Sequence, residues 1–569
     1  MCIIVLKRSI SAALIACLFT PSIGSAGSID AGSYLAGRHA GVTNDFGRGA
    51  RYFTKGLMSD PGNAALLENA MTSYLALGQA DMAVPIAQTI VDYGYDSQIA
   101  NLILSLAAVK NGDWAAVFDA LEQNRSVGPL VDGLAQGWAH MGKGQMTKAL
   151  AAFDQVIDTD GMQIYGLTHK AYALAIAGDF EGAEGVFRTS FTRAFRYNRR
   201  SAIAHAQILS QLGRNDDALV VIDGVFGRQP DPGVAALRAD LEAGVAVAYD
   251  AVDSPTAGMA DIYLVIAGAL SGDASDAYTL LYARAAMYLA PGNTDAVLMT
   301  AGLLDDLGQY ELANQTYAGV SRDDPAFHAA ELGRAGALRA AGRDDAAIAV
   351  LDGLARSYPD MPLVHATRGD TLRQVKRFDD AAIAYSRALD LYDANNPARW
   401  FVHYARGITH HQRDDWPAAE SDFRAALELQ PNQPQVLNYL GYSLVERNEK
   451  LDEALTMIET AAAARPDNGA IIDSLGWVMF QLGRYEEAVG HLELAASLEP
   501  VDPIINDHLG DAYWAVGRKT EARFQWHRAL SFGPDADEAD RIRTKLERGL
   551  DVVRKQEGMD PVQVARGDD

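Results

Sequence analysis

The sequence has almost no cysteine and none of the short motifs that accompany common enzyme chemistries. Its 569 residues include two cysteines, Cys2 and Cys17, both close to the N-terminus. The rest of the chain therefore has neither a disulfide framework nor a thiolate metal site. HExxH, CxxC, GxSxG and strand-led GxGxxG patterns are also missing from the sequence.

Two stretches come near to a catalytic or metal-binding motif. The residues from Gly137 to Gly144 follow the P-loop pattern, but glycine replaces the final serine or threonine that binds Mg²⁺. They also follow a helical pattern rather than a strand, so we interpret them as a turn between two helices. His403, His410 and His411 cluster within two helical turns, without a carboxylate or further histidine at a ligand spacing. We predict a protein that is not an enzyme and that carries no cofactor or metal.

Positive charge is scarce as well. The chain has 49 Lys and Arg against 74 Asp and Glu, which gives a formal net charge of −25. Because proteins neutralise nucleic acid phosphates with clustered basic residues, this composition disfavours a nucleic acid partner. The acidic residues form no long run, and we expect them on solvated helix faces.

What the sequence does contain is a repeat of 34 or 35 residues in its C-terminal third. In each period a glycine is followed at fixed offsets by an alanine, a large apolar residue and a proline. The four glycines are Gly407, Gly441, Gly476 and Gly510, the alanines are Ala419, Ala454, Ala488 and Ala522, the large residues are Phe423, Ile458, Leu492 and Trp526, and the prolines are Pro431, Pro466, Pro500 and Pro534. A constant period of this length indicates a stack of similar helical units.

The spacing has a physical reason. The glycine and the alanine lie where two amphipathic helices cross, and small side chains there let the backbones approach. A second glycine, such as Gly483 or Gly517, is expected to end the first helix at positive φ. The proline favours a helix boundary. One such hairpin cannot bury its apolar faces alone, so we expect each unit to pack mainly on its neighbours along the chain.

The pattern resembles the tetratricopeptide repeat (TPR), and the copy from Leu475 to Pro500 matches it best. The resemblance implies an all-α fold, namely a right-handed α-solenoid superhelix of about fourteen TPR-like helical hairpins with a C-terminal capping helix. The predicted divisions are a degenerate TPR-like solenoid at 27–232, an irregular segment at 233–258, a regular TPR solenoid at 259–534, a capping helix at 535–556 and a disordered tail at 557–569.

Residues 1–26 are predicted to be a secretory signal peptide. Lys7 and Arg8 precede an uncharged stretch that ends at Ala26 after small residues, an arrangement typical of such signals. We therefore expect a periplasmic protein whose chain starts at Gly27. A second interpretation stays open, because the residues before Cys17 resemble a lipobox; Cys17 would then be acylated and the protein would be an outer-membrane lipoprotein.

In the TPR family, one stripe of the first helix of each repeat lines a groove that binds peptide segments. The resemblance places ten residues on this stripe, which we predict as the partner-binding site: Tyr404, His411, Asn438, Tyr442, Asp473, Trp477, Phe480, Asp507, Asp511 and Trp514. Aromatic rings offer large contact areas, and Asn or Asp can pair with a peptide backbone. The alternative is that these rings pack between repeats.

The acidic residues of the stripe distinguish it from one known TPR pattern. Members that hold a C-terminal carboxylate carry Lys, Asn and Arg at these positions, whereas this chain has Asn438 but otherwise Asp473, Asp507 and Asp511. We therefore predict protein or peptide partners with neutral or basic segments. The only membrane association expected is through lipidation of Cys17.

The stretch from Leu437 to Leu444, followed by Asp473 to Trp477, is similar to proteobacterial TPR proteins of the cell envelope. This resemblance implies a non-catalytic scaffold or adaptor, and several such proteins resemble adaptors for periplasmic proteases or wall hydrolases. The alternative is a structural assembly factor for outer-membrane or polysaccharide-export machinery.

Overall fold

A computed structural model describes residues 31–191, 198–227 and 231–562 of the chain. Within these residues it contains 31 α-helices and no strand. The chain divides into two compact units, one ending at Gly342 and the other beginning at Arg343. The predicted signal peptide and both cysteines lie outside the described residues, so their role stays a prediction.

The helices of the first unit are joined mostly by short turns. They are α1 (Ala31–Val42), α2 (Phe46–Leu57), α3 (Ala64–Ala76), α4 (Ala80–Asp92), α5 (Gln98–Lys110), α6 (Trp114–Glu122), α7 (Pro129–Gly142), α8 (Met146–Ile157), α9 (Gln163–Ile176), α10 (Phe180–Phe191), α11 (Arg199–Gln211), α12 (Asn215–Phe226), α13 (Pro232–Glu242), α14 (Pro255–Leu270), α15 (Asp276–Leu289), α16 (Thr294–Asp306), α17 (Tyr310–Tyr317) and α18 (Phe327–Ala340).

The second unit continues the same alternation. Its helices are α19 (Asp344–Ser357), α20 (Pro362–Gln374), α21 (Phe378–Leu391), α22 (Arg399–His411), α23 (Trp416–Leu429), α24 (Pro434–Glu446), α25 (Leu451–Ala464), α26 (Gly469–Gln481), α27 (Tyr485–Leu498), α28 (Pro503–Ala515), α29 (Lys519–Ser531), α30 (Ala536–Arg548) and α31 (Leu550–Gln556). None of the helices described for this chain is both long enough and apolar enough to span a lipid bilayer.

The turns and crossings confirm the physical interpretation of the repeat. Gly483 and Gly517 have φ angles of +76° and +83° and end the first helices of their hairpins. A Cβ atom on Gly476 would lie 2.6 Å from Leu492 Cγ, and one on Gly510 would lie 2.5 Å from the Trp526 ring. Glycine is therefore needed where the helices cross, because any side chain would meet the large residue of the same repeat.

The irregular segment is shorter than predicted. Most of the first half of 233–258 is helix α13, whose N-terminus is capped by Asp231, and α14 begins at Pro255. The chain between Glu242 and Pro255 has no helix, and the Gln207 side chain holds it on α11 by accepting from the backbone N–H groups of Asp250 and Ala251 at 3.1 Å.

Most helices contact their neighbours in the sequence, as expected, but this segment brings α14 and α15 against much earlier helices of the first unit. Arg284 of α15 donates to the carbonyl oxygen of Ala76 at 2.9 Å, across 208 residues of sequence. The Trp138 ring of α7 packs against Gly258 of α14, where a Cβ would lie 2.3 Å from the ring. Helices α3, α5 and α7 thus contact the hairpin that α14 and α15 form.

The C-terminal end also differs from the prediction. Instead of one capping helix over 535–556, α30 and α31 are separated by Gly549, whose φ is +88°. Part of the predicted disordered tail is packed, since Val562 is buried and its N–H donates to Asp551 at 3.1 Å. Residues 563–569 lie outside the described part of the chain.

Candidate functional site

The predicted partner-binding residues fall into two groups in the second unit. Tyr404, His411, Asn438 and Tyr442 are half-buried, whereas the other six are buried: Asp473, Trp477, Phe480, Asp507, Asp511 and Trp514. The sequence interpretation expected accessible rings and carboxylates on this stripe. That expectation of exposure is wrong for the six, because each packs against another part of the C-terminal region.

A pocket of about 830 Å³ lies at this end of the chain. It brings together four of the ten predicted residues, namely Tyr442, Trp477, Asp507 and Asp511. Helices α24, α26 and α28 supply one wall, through these residues among others. The opposite wall comes from α30 and from Leu550 to Asp560, and it includes Arg541 and Arg554. Its volume is within the usual range of ligand pockets, about 300–1,000 Å³.

Trp477 lines the pocket but is itself enclosed. Its indole N–H donates to the Glu446 carboxylate at 2.8 Å. The ring stacks on His508 with centroids 3.9 Å apart, and on Phe480 with centroids 4.9 Å apart. Only 5% of Trp477 is exposed, so this residue is first of all a part of the packing between α26 and α28.

His508, which sequence reasoning missed, links this ring stack to an acidic group. Its Nδ1 lies 2.9 Å from the Asp473 carboxylate, and both side chains are buried. Burial by itself lowers the pKa of His508, but the hydrogen bond and attraction of Asp473, together with the nearby Asp507 and Asp511, outweigh it, and the net pKa is raised. Asp473 therefore orients His508 and favours its charged form, instead of presenting a free carboxylate to a partner.

Asp507 and Asp511 are paired with one buried lysine of α30. The Lys545 ammonium lies 2.6 Å from Asp507 and 2.7 Å from Asp511, and the lysine side chain has no exposed surface. Asp511 also accepts from the Trp526 indole N–H at 3.0 Å. Arg541 also donates to Asp507, at 3.5 Å. Both carboxylates are thus paired with cations of the same chain, which corrects the idea that they select a basic partner by free charge.

The rings of Trp514 and Phe480 are covered by residues 549–562, which we call the C-terminal strap. The Trp514 indole N–H donates to Asp551 of the strap at 3.1 Å. The guanidinium of Arg554 lies 5.8 Å from the centre of the Phe480 ring. The strap therefore occupies the part of the stripe where the sequence predicted exposed aromatic rings.

Comparison with known proteins establishes the family of this helical stack. A family model described as tetratricopeptide repeat matches five segments that together cover just over half of the chain: residues 134–199, 298–362, 367–434, 440–503 and 474–537. The chain belongs to the tetratricopeptide repeat family. The helical hairpins of the matched segments are TPR units, and the fold is a helical solenoid, as the sequence predicted.

Similar proteins cover only part of this TPR chain. A TPR repeat-containing protein of Pseudomonas aeruginosa is 30% identical over 159 residues, which are 28% of this chain and 26% of that protein. Bacteriophage adsorption protein A of Escherichia coli is 40% identical over 77 residues, which are 14% of this chain and 8% of that protein. The chain thus spans about a quarter or less of the length of these curated relatives.

Two solved TPR structures are similar in fold to this chain. The Cut9–Hcn1 hetero-tetramer of the APC/C is 15% identical and covers 91% of this chain and 96% of its own, with a TM-score of 0.38. YrrB, described as a TPR protein with an unusual peptide-binding site, is 17% identical and covers 34% of this chain and 97% of its own, with a TM-score of 0.28. At such low identities and TM-scores, these likenesses carry no argument about the site.

Three of the half-buried residues of the TPR stripe, Tyr404, His411 and Asn438, lie outside the pocket, and the rings of two of them contact Tyr439. The rings of Tyr404 and Tyr439 are 6.1 Å apart, and His411 Nδ1 lies 3.1 Å from the Tyr439 hydroxyl. Asn438 has a buried side-chain oxygen that finds no hydrogen-bond partner among the described residues. Tyr439, which the prediction omitted, therefore connects Tyr404 to His411, while none of these four residues reaches the pocket.

Two of the clustered histidines of α22 approach a single carboxylate. His403 Nδ1 lies 2.8 Å from Asp422 Oδ1, and Arg406 donates to the same oxygen at 2.7 Å. His410 Nε2 is 3.8 Å from the other oxygen. Burial raises the pKa of Asp422, but Arg406 and His403 together outweigh it and hold that pKa below its usual value. In the described part of the chain, no group of three or more His, Cys, Asp or Glu side chains is arranged to hold a metal ion.

Two basic residues at this site, Lys545 of α30 and Arg554 of the strap, were not foreseen from the sequence. Lys545 sits beside Ile542 and Leu546, which carry the apolar pattern of α30. A lysine this close to a buried stripe is a signal that could have been noticed, since buried lysines need an acidic partner. Arg554 gave no such signal, because its neighbour Phe480 lies far away in the sequence.

Proposed function

We propose that this TPR protein is a non-catalytic scaffold or adaptor of the bacterial cell envelope that binds a partner protein through the C-terminal pocket. TPR repeats are protein-interaction scaffolds and are typically non-catalytic. The observation that carries the proposal is the pocket of about 830 Å³, with Tyr442 and Trp477 on the wall formed by the first helices of successive repeats. Such a pocket accommodates several side chains of a peptide segment.

The lining also supports a preference for neutral or basic segments. The pocket is lined by six carboxylates, against the basic Arg541 and Arg554 and the imidazole of His508. The six belong to Glu446, Asp507, Asp511, Glu538, Glu557 and Asp560. Arg541 is paired with two of these carboxylates, since it donates to Glu557 at 2.8 Å and to Asp507 at 3.5 Å. The polar surface of the pocket is thus mainly acidic, and it favours a partner side chain that carries positive charge.

Photo-crosslinking tests the assignment of the pocket. A photoreactive phenylalanine analogue replaces Ile504, which lines the pocket and is 42% exposed, or Phe524, which is 62% exposed and does not line it. In envelope extract we expect a partner to crosslink at position 504 and not at position 524. Equal crosslinking at both positions would place partner binding elsewhere on the chain. Mass spectrometry of the product distinguishes a protease or hydrolase partner from a component of outer-membrane or polysaccharide-export machinery.

The cell-envelope location is proposed on the sequence of the first 26 residues. Mass spectrometry of the native N-terminus is expected to give Gly27 if the signal peptide is cleaved after Ala26, or an acylated Cys17 if the lipobox interpretation holds. An N-terminus that retains Met1 would contradict both. Changing Cys17→Ser separates the two, because it leaves a secreted protein in place and releases a lipoprotein from the membrane.

A further inference from the structure

The C-terminal strap is weakly built compared with the helices that it covers. Its helix α31 has seven residues, and isolated helices shorter than about 12–15 residues are marginal in water. Gly549 joins it to α30 in a left-handed conformation, with φ of +88°. The strap is therefore held by tertiary contacts, and segments of this kind open at the low end of local unfolding free energies.

The strap also fills its site incompletely. Leu550, Val553 and Val562 are buried, with 1%, 3% and 6% of their surfaces exposed. The pocket of about 830 Å³ nevertheless remains between the strap and helices α24, α26 and α28. A segment of larger or longer side chains can thus bury more surface at this site than the strap does.

The contacts of the strap show which chemistry the site accepts. The basic side chain Arg554 lies over the Phe480 ring, and cations over aromatic faces are attracted by the ring quadrupole. Leu550 and Val553 supply apolar contacts on the same short helix, and Asp551 accepts from the Trp514 indole. Helix α31 of the strap is thus amphipathic. Its apolar residues Leu550 and Val553 lie on one side, and its basic residue Arg554 comes one turn after Leu550.

From this geometry we propose that the strap is a removable occupant of the partner-binding stripe. A partner segment that forms a basic amphipathic helix displaces it and binds Trp514 and Phe480 in its place. This inference rests on the proposed function and adds its regulation: the chain competes with its partner for the same aromatic surface. The apparent affinity for the partner is then reduced by the fraction of molecules in which the strap is closed.

A labelled peptide with the sequence of residues 549–562 tests the proposal on the full chain. The double variant Leu550→Asp and Val553→Asp buries two carboxylates if the strap stays closed, so we expect it to open the strap while Lys545 keeps α30 docked. Fluorescence anisotropy should show the peptide binding this variant at least tenfold more tightly than the unaltered chain. Equal binding to both, or no binding to the variant, would overturn the proposal.

Matched control variants distinguish the effect of opening the strap from the effect of adding negative charge to it. Gln556→Asp also adds an acid to the strap, but at an exposed position, and should leave peptide binding as in the unaltered chain. A peptide with Arg554→Glu should lose at least tenfold in affinity for the opened variant. If the double variant melts at a much lower temperature, the variant Gly549→Val is used in its place. A Cβ at position 549 would lie 2.5 Å from the Trp514 ring, so we expect this substitution to open the strap without adding charge.

Hydrogen exchange on the unaltered chain gives an independent measurement. Amides of the strap should exchange at least tenfold faster than those of α30, and equal protection would contradict a removable strap.

The proposed function and the removable strap can each fail without the other. A partner that crosslinks at position 504 with the same yield in the opened variant removes the inference alone, whereas peptide binding without any crosslinked partner removes the proposed function alone.

Discussion

The ammonium of Lys545 and the carboxylate of Asp511 lie 2.7 Å apart, and both side chains are shielded from solvent. Burial raises the pKa of Asp511 and the nearby lysine lowers it, and the net direction is upward. The ion pair thus joins α30 to α28 at the end of the repeat stack. It is a structural contact, made by a residue that the sequence had assigned to partner binding.

Removing this lysine is expected to destabilise the C-terminal repeats strongly. Lys545→Met leaves Asp511 buried without a cation and Asp507 with only Arg541, at 3.5 Å. Breaking a buried pair in this way costs about 3–5 kcal/mol of unfolding free energy. Urea unfolding followed by tryptophan fluorescence measures the loss. The control is Arg543→Met, which removes an exposed pair with Asp540 and should cost less than about 1 kcal/mol. Similar losses in the two variants would contradict the role of Lys545.

Two glycines of one hairpin should respond in opposite ways to substitution. Gly476→Leu overpacks the crossing with Leu492, at a cost of about 1–3 kcal/mol or more. A Cβ added to Gly490, in the interior of α27, would meet no described atom within 4 Å, so Gly490→Ala should stabilise the chain by up to about 1 kcal/mol through helix propensity. Thermal unfolding monitored by circular dichroism compares them, and a stabilised Gly476 variant would refute the proposed crossing.

Trp477→Ala should reduce stability rather than only partner affinity. The ring is enclosed between Phe480 and His508, and truncation of a buried tryptophan costs about 3–5 kcal/mol. Tyr404→Ala is the comparison, because that ring is half-buried and its truncation should cost less. Urea unfolding measures the loss of unfolding free energy in each of the two variants. A Trp477 variant as stable as the unaltered chain would instead support an exposed anchor at this position.

The pairing of His508 with Asp473 predicts a defined pH dependence. The pKa of His508 in the folded chain is raised above its ordinary value, which is about 6.5 in the unfolded state. Its stabilising contribution is therefore fully present below about pH 6.5 and is lost as pH rises through the folded-state pKa. The difference in unfolding free energy between the unaltered chain and His508→Gln should shrink across that window. A difference that grows with pH would contradict the pairing.

The hairpins and the packing within each of them follow from the periodicity of the sequence. Gly510, Ala522 and Trp526 stand at fixed offsets, and the structure brings a Gly510 Cβ position to 2.5 Å from the Trp526 ring. Such contacts join residues of one repeat, so a constant period in the sequence reports them directly. The boundary at Gly517 follows for the same reason, since the need for positive φ belongs to a single residue.

Accessibility of the predicted stripe, in contrast, depends on contacts that no repeat pattern encodes. Trp514 is covered by Asp551 of the strap, and Asp511 is covered by Lys545 of α30. In the first unit, the contact of Arg284 with Ala76 joins residues 208 positions apart. These contacts depend on the path of the chain after it leaves the regular repeat. Periodicity describes how each repeat meets its neighbour, but it carries no information on where a non-periodic segment returns.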